Sequence, residues 1–310
     1  MASELTGGES ILVLLGPTAT GKTDVAVAVA RRLGGEIISA DSRAFFKDLD
    51  IVAAKPTTTE RQGIPHHLID SVSVDHGYDA MAFRRDVERL VPEIVKRGRL
   101  PILVGGGTLY LGAIIRGIFE GPSKDDRFRE GLAQETSEAL HGRLCQVDPD
   151  AANGIHPNDR LRIVRALEVY EATGRPISRW QAEARPLPYD VAVFGLKRER
   201  ADHRAAIKAR VRRMLDDGLI EEVERLKSAG LQETAQAYRT IGIPEVVAHL
   251  DGRLTKAELE DVIARQTWSL ARRQAAWFRR DPDVVWIEAT GRTIDDLATE
   301  IVERWKERCR

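Results

Sequence analysis

Eight consecutive residues, Gly16-Pro17-Thr18-Ala19-Thr20-Gly21-Lys22-Thr23, have the types and spacing to hold a phosphate group. They fit the pattern G-x-x-x-x-G-K-[ST] at every fixed position. In such a loop the backbone N–H groups and a helix N-terminus converge on an anion, the lysine adds a point charge, and the last hydroxyl can hold Mg²⁺. The pattern carries physical meaning only between a strand and a helix. Ile11-Leu12-Val13-Leu14-Leu15 is a short apolar run that reads as a buried parallel strand. Asp24 to Leu33 reads as a helix closed by Gly34-Gly35. That setting disfavours an accidental turn rich in glycine and threonine. It leaves open which phosphates are held and whether any phosphoryl group moves.

A second candidate lies at Asp41. Glu36-Ile37-Ile38-Ser39-Ala40 reads as a strand, and Asp41-Ser42 stands at its carboxyl end, where open α/β sheets place their chemistry. Asp41 could bind a metal, orient a substrate or act as a base. An aspartate followed by serine could equally form a helix N-cap or an Asx turn. His66 and His67 are adjacent in an extended segment and point to opposite faces, so one metal cannot easily take both, and a structural role is expected. Gly105-Gly106-Gly107-Thr108 follows the buried strand Leu100 to Val104 and would let a ligand approach the backbone closely.

Three stretches carry basic residues. His156-Pro157-Asn158-Asp159 opens a helix through Tyr170 that Thr173-Gly174-Arg175-Pro176 stops. Arg162 and Arg165 lie three apart on it and share a face, able to grip phosphates or simply to sit in solvent. Lys197 to Arg213 forms a basic helix. Thr255-Lys256-Ala257-Glu258 is a capping box that opens a long helix to about Phe278, carrying Arg265, Trp268 and Arg272 on one face. These could stack bases and bind phosphates, or the tryptophan could be core. Trp277-Phe278 is expected to be core.

The elements that position these residues make an α/β core. Further strands are read at Tyr189 to Leu196 and Val284 to Ile287, and amphipathic helices at Tyr78 to Arg97 and Ile294 to Arg310. Between Gly121-Pro122-Ser123 and Pro188 no strand-like run appears, so residues 121–188 read as a helical insertion between core segments 1–120 and 189–310. The chain has 310 residues, 43% hydrophobic and 31% charged, with net charge -1, so a polyanion would need a local basic patch. Cys145 and Cys309 are the only cysteines and lack metal-ligand spacing, which suits a reducing compartment. Residues 1–10 lack a signal-peptide pattern and no apolar run approaches a membrane span, so a cytoplasmic protein without membrane contact is expected. No internal repeat or low-complexity linker is present.

Taken together, several stretches resemble the tRNA dimethylallyltransferase (tRNA isopentenyltransferase) family. They are the Gly16 to Thr23 loop, Asp41-Ser42, Ala54-Lys55-Pro56, His66-His67-Leu68-Ile69-Asp70 and Leu100 to Gly106. Further on are Ile155 to Asp159, Arg165 to Tyr170, Gly218 to Val223 and Ala271-Arg272-Arg273-Gln274 with Trp277 to Arg280. The resemblance covers about residues 10 to 287. It implies a P-loop NTPase-like parallel sheet flanked by helices, with an inserted helical domain that grips the tRNA anticodon stem-loop. It implies transfer of a dimethylallyl group from dimethylallyl diphosphate to N6 of adenine 37, with Mg²⁺ as cofactor, by a protein expected to be a monomer. Asp41 would accept the amine proton. Gly16, Pro17, Thr18, Ala19, Thr20, Gly21, Lys22 and Thr23 would hold the diphosphate. Thr23 would hold the metal, and Thr18 and Arg239 would assist the leaving group. Asp41, Ser42, Arg43, Ala44, Thr108, Arg162 and Arg165 would meet the tRNA. The chain departs from the family pattern at Ala44, Phe46, Val52-Ala53 and Gly107, changes expected around the adenine and the allyl pocket.

Three rivals have distinct signatures. An adenylate isopentenyltransferase acting on free AMP, ADP or ATP would not need the insertion. A P-loop small-molecule kinase would need an arginine-rich lid, which the Lys197 to Arg213 helix could imitate. A tRNA-binding relative without activity would follow if the departures had removed catalysis.

Overall fold

The computed structural model describes residues 10–309. Six parallel strands form one sheet: β1 (Ser10–Leu15), β2 (Gly35–Ser39), β3 (His66–His67), β4 (Leu100–Gly105), β5 (Asp190–Lys197) and β6 (Val285–Glu288), in the order β3-β2-β4-β1-β5-β6. All but β3 fall where apolar runs predict strands. β3 has two residues, too few to show any periodicity, and it is held by its neighbours instead. The Glu36 carboxylate on β2 accepts hydrogen bonds from Arg97 (2.7 and 3.0 Å) and from His67 Nε2 (2.7 Å). The Arg97 hydrogen bonds, followed by that of His67, hold the Glu36 carboxyl below its usual range against the opposing effect of burial. His67 thus has the expected structural role.

The core explains the sheet. Strand β1 is buried on both faces from Ile11 to Leu15, as a central parallel strand must be. One apolar cluster joins Leu12, Leu14, Ile102 and Phe194 to the helices Lys22–Leu33 and Ile294–Arg308. A second joins Phe46, Leu49 and Val52 to the helices Arg200–Asp216, Leu219–Ser228, Ile243–Leu250 and Lys256–Phe278. Buried Glu222 ties this second region to the segment after β2, accepting from the backbone N–H groups of Asp50, Ile51 and Val52 at 3.0, 2.8 and 2.9 Å. Lys55, with a side chain only 3% exposed, closes the same segment by donating to Phe46 O (2.7 Å), Asp50 and Asp70. The basic helix begins at Arg200 rather than Lys197, because Lys197 still pairs with Glu288 in the sheet.

The chain divides into two compact units, residues 1–111 with 188–310 and residues 112–187. The second begins at Gly112 rather than at the Gly121 punctuation. Leu187 N donates to Ile114 O at 3.2 Å, and a Cβ on Gly117 would meet Arg185 O at 2.3 Å. The segment before Gly121 is therefore built onto the end of the same unit. This unit is all helical, around Leu140, Leu144, Ile163 and Leu167. At its centre Glu168, 1% exposed, accepts from Arg129 (2.7 and 2.8 Å), Arg165 (2.6 Å) and Asp125 N (2.8 Å). Burial alone would raise the Glu168 pKa, but the Arg129 and Arg165 hydrogen bonds prevail and bring it to about 2.

Candidate active site

The phosphate loop leaves β1 at Gly16. A Cβ there would lie 2.6 Å from Leu196 O, and its φ of 151° adds strain for any larger residue. Ala19 (φ 61°) and Gly21 (φ 88°) turn left-handed, the kind of backbone from which anion-binding nests are built. Gly21 caps the Lys22–Leu33 helix without any side-chain hydrogen bond, so its first N–H groups stay available to an anion. The helix ends as the sequence predicts, on left-handed Gly34, whose N–H returns to Ala30 O.

The Thr20 side chain is committed within the loop, and it is not among the lining residues. Its buried hydroxyl donates to Pro17 O at 2.9 Å and braces the loop. Lys22 Nζ donates to the same carbonyl at 2.7 Å. Burial lowers the Lys22 pKa to about 7; Asp41 opposes this and the charge of Arg210 adds to it. Arg210 is itself pushed down by burial, with Asp41 opposing. Desolvation is the main cause for both cations and neither has an ion-pair partner among the described residues, so an anion placed beside them would favour their charged forms.

These residues line one cavity of about 480 Å³. Thr18, Ala19, Gly21, Lys22 and Thr23 of the loop line it, as do Asp41 and Ala44. Among the described residues the hydroxyls of Thr18 and Thr23 have no hydrogen-bond partner. Arg198, Arg210 and Arg213 line it too, none of them singled out as a site residue by motif. Arg198 Nε lies 3.4 Å from Thr20 O, and its Nη1 donates to Asp202 at 2.7 Å. His66 also lines the cavity, with Nδ1 donating to Ile64 O at 2.8 Å.

Asp41 forms the Asx turn and also lines the cavity. Oδ1 accepts from Arg43 N at 2.9 Å, an Asx turn, and the side chain still faces the cavity. Arg43 is not among the lining residues; its guanidinium donates to Gln236 O at 2.9 Å and so anchors the turn Ala237–Arg239. Burial lowers the Arg43 pKa, Asp41 and Tyr110 oppose this, and the charge of Arg239 adds to it, so Arg239 stands near Arg43. Arg239 is exposed, is not a lining residue, and has no bonded partner among the described residues. Ser42 and Thr108 are half-buried outside the lining.

In the glycine cluster at the end of β4, Gly105 and Gly106 line the cavity, where a ligand could approach the backbone as expected, and the cluster has a second, structural use. A Cβ on Gly105 or Gly107 would meet Ala40 O at 2.4 or 2.5 Å. The glycines admit a neighbouring backbone, and Gly107 N donates to Ala40 O at 3.2 Å. Of the departures from the family pattern, Ala44 and Ala53 line the cavity, whereas Phe46 and Val52 are buried in the core. Trp268 is not a free stacking platform: it forms a T-shaped pair with His203, ring centroids 5.5 Å apart, and the Arg204 guanidinium lies 5.6 Å from its ring centroid. Phe278 is core, as expected. In the other unit Arg162 is exposed, with Asp159 Oδ2 at 3.4 Å, while Arg165 is committed to Glu168 and to Pro122 O (2.9 Å). Among the described residues no cluster of three or more acidic, histidine or cysteine side chains could cage a metal, and no helix is long and apolar enough to cross a membrane.

A parallel sheet with a phosphate loop after its central strand and an acid after the next defines a P-loop NTPase-like α/β enzyme core. The chain belongs to the IPP transferase family, whose model matches residues 44–281. It is 42% identical to the tRNA dimethylallyltransferase of Pelotomaculum thermopropionicum over 285 residues, 90% of this chain and 91% of that one. Among solved structures it is similar to the tRNA isopentenylpyrophosphate transferase of Bacillus halodurans (TM-score 0.73, 35% identity, 96% of each chain). A eukaryotic dimethylallyltransferase captured acting on tRNA also matches, with TM-score 0.80 and 26% identity over 91% of this chain and 74% of that one.

Proposed function

We propose that this chain transfers a dimethylallyl group from dimethylallyl diphosphate to N6 of adenine 37 in tRNA, and that its phosphate loop holds the leaving group rather than a phosphoryl donor. The observation that carries this reading is the cavity that gathers the loop, two under-neutralised cations, Lys22 and Arg210, and the Asp41 carboxylate. The membership of the chain in a prenyl transferase family supports the same reading.

The chemistry follows from the residues. The exocyclic amine of adenine is a weak nucleophile because its lone pair is delocalised into the ring. As N6 bonds to the allylic carbon, the carbon–oxygen bond breaks and its electron pair leaves with diphosphate. Asp41 accepts the N6 proton, which keeps the new nitrogen neutral. Lys22, Arg210, the loop amides and the Thr18 hydroxyl stabilise the charge gathering on diphosphate, and Arg239 adds to them from the nearby turn. The adenine is drawn out of its stack to reach the cavity. Ser42, Arg43, Ala44 and Thr108 are assigned to contact with the tRNA. Thr23 fits Mg²⁺ of the kind bound mostly by substrate phosphates and water, because its hydroxyl is uncommitted at the helix N-terminus and no protein cage is present among the described residues. Bound there, the ion would screen the diphosphate charge.

Residues 112–187 are assigned to the anticodon stem-loop. Arg162 takes a phosphate, and Arg165 supports the helix that presents it. The protein works as a monomer in the cytoplasm. Labelled dimethylallyl diphosphate offered to an anticodon stem-loop and, separately, to AMP tests the reading. Label is expected in the stem-loop only, at adenine 37 by mass spectrometry. Prenylation of AMP alone, or phosphoryl transfer without prenylation, would overturn it.

A further inference from the structure

We propose that Gln274 and His203 are positioning residues that together lock the backbone at Thr18 and thereby set the attitude of the phosphate loop. The inference rests on reading that loop as the holder of diphosphate. Thr18 N donates to Gln274 Oε1 at 2.9 Å, and Gln274 Nε2 donates to Gly106 O at 2.8 Å. Both ends of the amide are thus engaged, and its orientation is dictated, since an N–H needs the oxygen and a carbonyl needs the nitrogen. Thr18 O is 2.8 Å from His203 Nε2. A carbonyl only accepts, so Nε2 carries the hydrogen. His203 is 6% exposed and packed edge-on against Trp268, which fixes its ring.

The two contacts act on different peptide planes. Thr18 N belongs to the peptide that begins at Pro17; Thr18 O belongs to the peptide that ends at Ala19. Holding both planes fixes φ and ψ of Thr18, and with them the direction of its Cα–Cβ bond. Each plane also carries a group on its opposite side. In a trans peptide, pulling Thr18 N–H toward Gln274 turns Pro17 O the other way, and that oxygen receives Lys22 Nζ (2.7 Å) and Thr20 Oγ1 (2.9 Å). Pulling Thr18 O toward His203 likewise turns Ala19 N–H away from His203. One glutamine and one histidine, from the helices Lys256–Phe278 and Arg200–Asp216, therefore orient the Cα–Cβ bond of Thr18, the amide of Ala19 and the ammonium of Lys22.

Neither contact is local. Gln274 is 256 residues from Thr18 and His203 is 185. The backbone at Thr18 is thus held by two helices remote from it in sequence.

The test uses full-length protein with Gln274→Met, which keeps the volume and removes both hydrogen bonds, His203→Phe, which removes the donor, and His203→Gln, which restores an N–H. Two readouts are taken: inorganic diphosphate binding by calorimetry, and kcat and KM with an anticodon stem-loop. For Gln274→Met and His203→Phe, diphosphate affinity is expected to fall about tenfold and kcat about 10- to 100-fold, with KM for the stem-loop unchanged. His203→Gln is expected to recover most of both. Folded Gln274→Met protein with wild-type diphosphate affinity and kcat would overturn the proposal, as would His203→Gln being no better than His203→Phe. Should His203→Phe fail to fold, Gln274→Met and His203→Gln decide alone. Wild-type protein that binds diphosphate but does not prenylate the stem-loop would sink the assigned reaction, while the diphosphate affinities of the variants would still judge the clamp.

Discussion

Two groups of charges in this chain have opposite economies. In the helical unit of residues 112–187, Glu168 is saturated: two guanidiniums and a backbone N–H leave it nothing to offer a ligand. In the core unit, Lys22 and Arg210 share a cavity with Asp41, and burial lowers the pKa of both cations. The first group is closed and holds a helix bundle in one arrangement. The second is open: neither Lys22 nor Arg210 has an ion-pair partner among the described residues. Burial by itself does not separate structural from functional charges; the count of satisfied partners does.

The comparison breaks most sharply at Asp41. Asp41→Ala is expected to lower prenyl transfer by about a thousandfold, the loss of a general base, while tRNA affinity stays within about twofold. Single-turnover transfer and filter binding on the same protein measure the two. Unchanged turnover would remove Asp41 from the chemistry and leave it only its Asx turn.

An effect of similar size but of a different kind is expected in the closed group. Glu168→Ala strands Arg129 and Arg165 and should cost about 3–5 kcal/mol of stability, read by denaturant unfolding of residues 112–187. Because the Glu168 pKa falls from 4.5 to about 2 on folding, its contribution is complete above pH 4.5 and is lost as pH falls through about 2. The two arginines of the Arg160–Thr173 helix should then part company. Arg165→Ala destabilises, whereas Arg162→Ala leaves stability alone, weakens tRNA binding, and reduces the salt slope of binding by about one. Equal effects of both on binding at equal stability would erase the distinction drawn between them.

What could be read from the residues alone follows from how locally each feature is encoded. The phosphate loop is eight contiguous residues between a strand and a helix, and Asp41 ends the next strand, so sequence order carries both. Gln274 and His203 reach the loop across most of the chain, and Glu222 reaches Asp50 over 172 residues, so no window of sequence contains those contacts. The glycines after β4 illustrate a different limit. Composition reports that something approaches closely, and only the fold tells that it is the Ala40 carbonyl. For Arg165 the face of the helix was legible, but not that a buried carboxylate waits on it.

The finest effect expected is one of protons. Burial, aided by Arg210, holds Lys22 near a pKa of about 7 in the empty loop. A diphosphate beside the ammonium favours its charged form and must raise that value. Between the two values the bound state carries one proton more than the free state. Above pH 7, then, Lys22 contributes a fall in diphosphate affinity approaching tenfold per pH unit, and none well below pH 7 where it is protonated in both states. Diphosphate also titrates in this range, so the decisive quantity is a difference. Calorimetry at pH 8 in two buffers of unlike ionisation enthalpy should show more proton uptake for wild type than for Lys22→Met. Equal uptake in the two would mean that Lys22 keeps its proton in the empty loop, and that the open charge group is less starved of counter-ions than its burial implies.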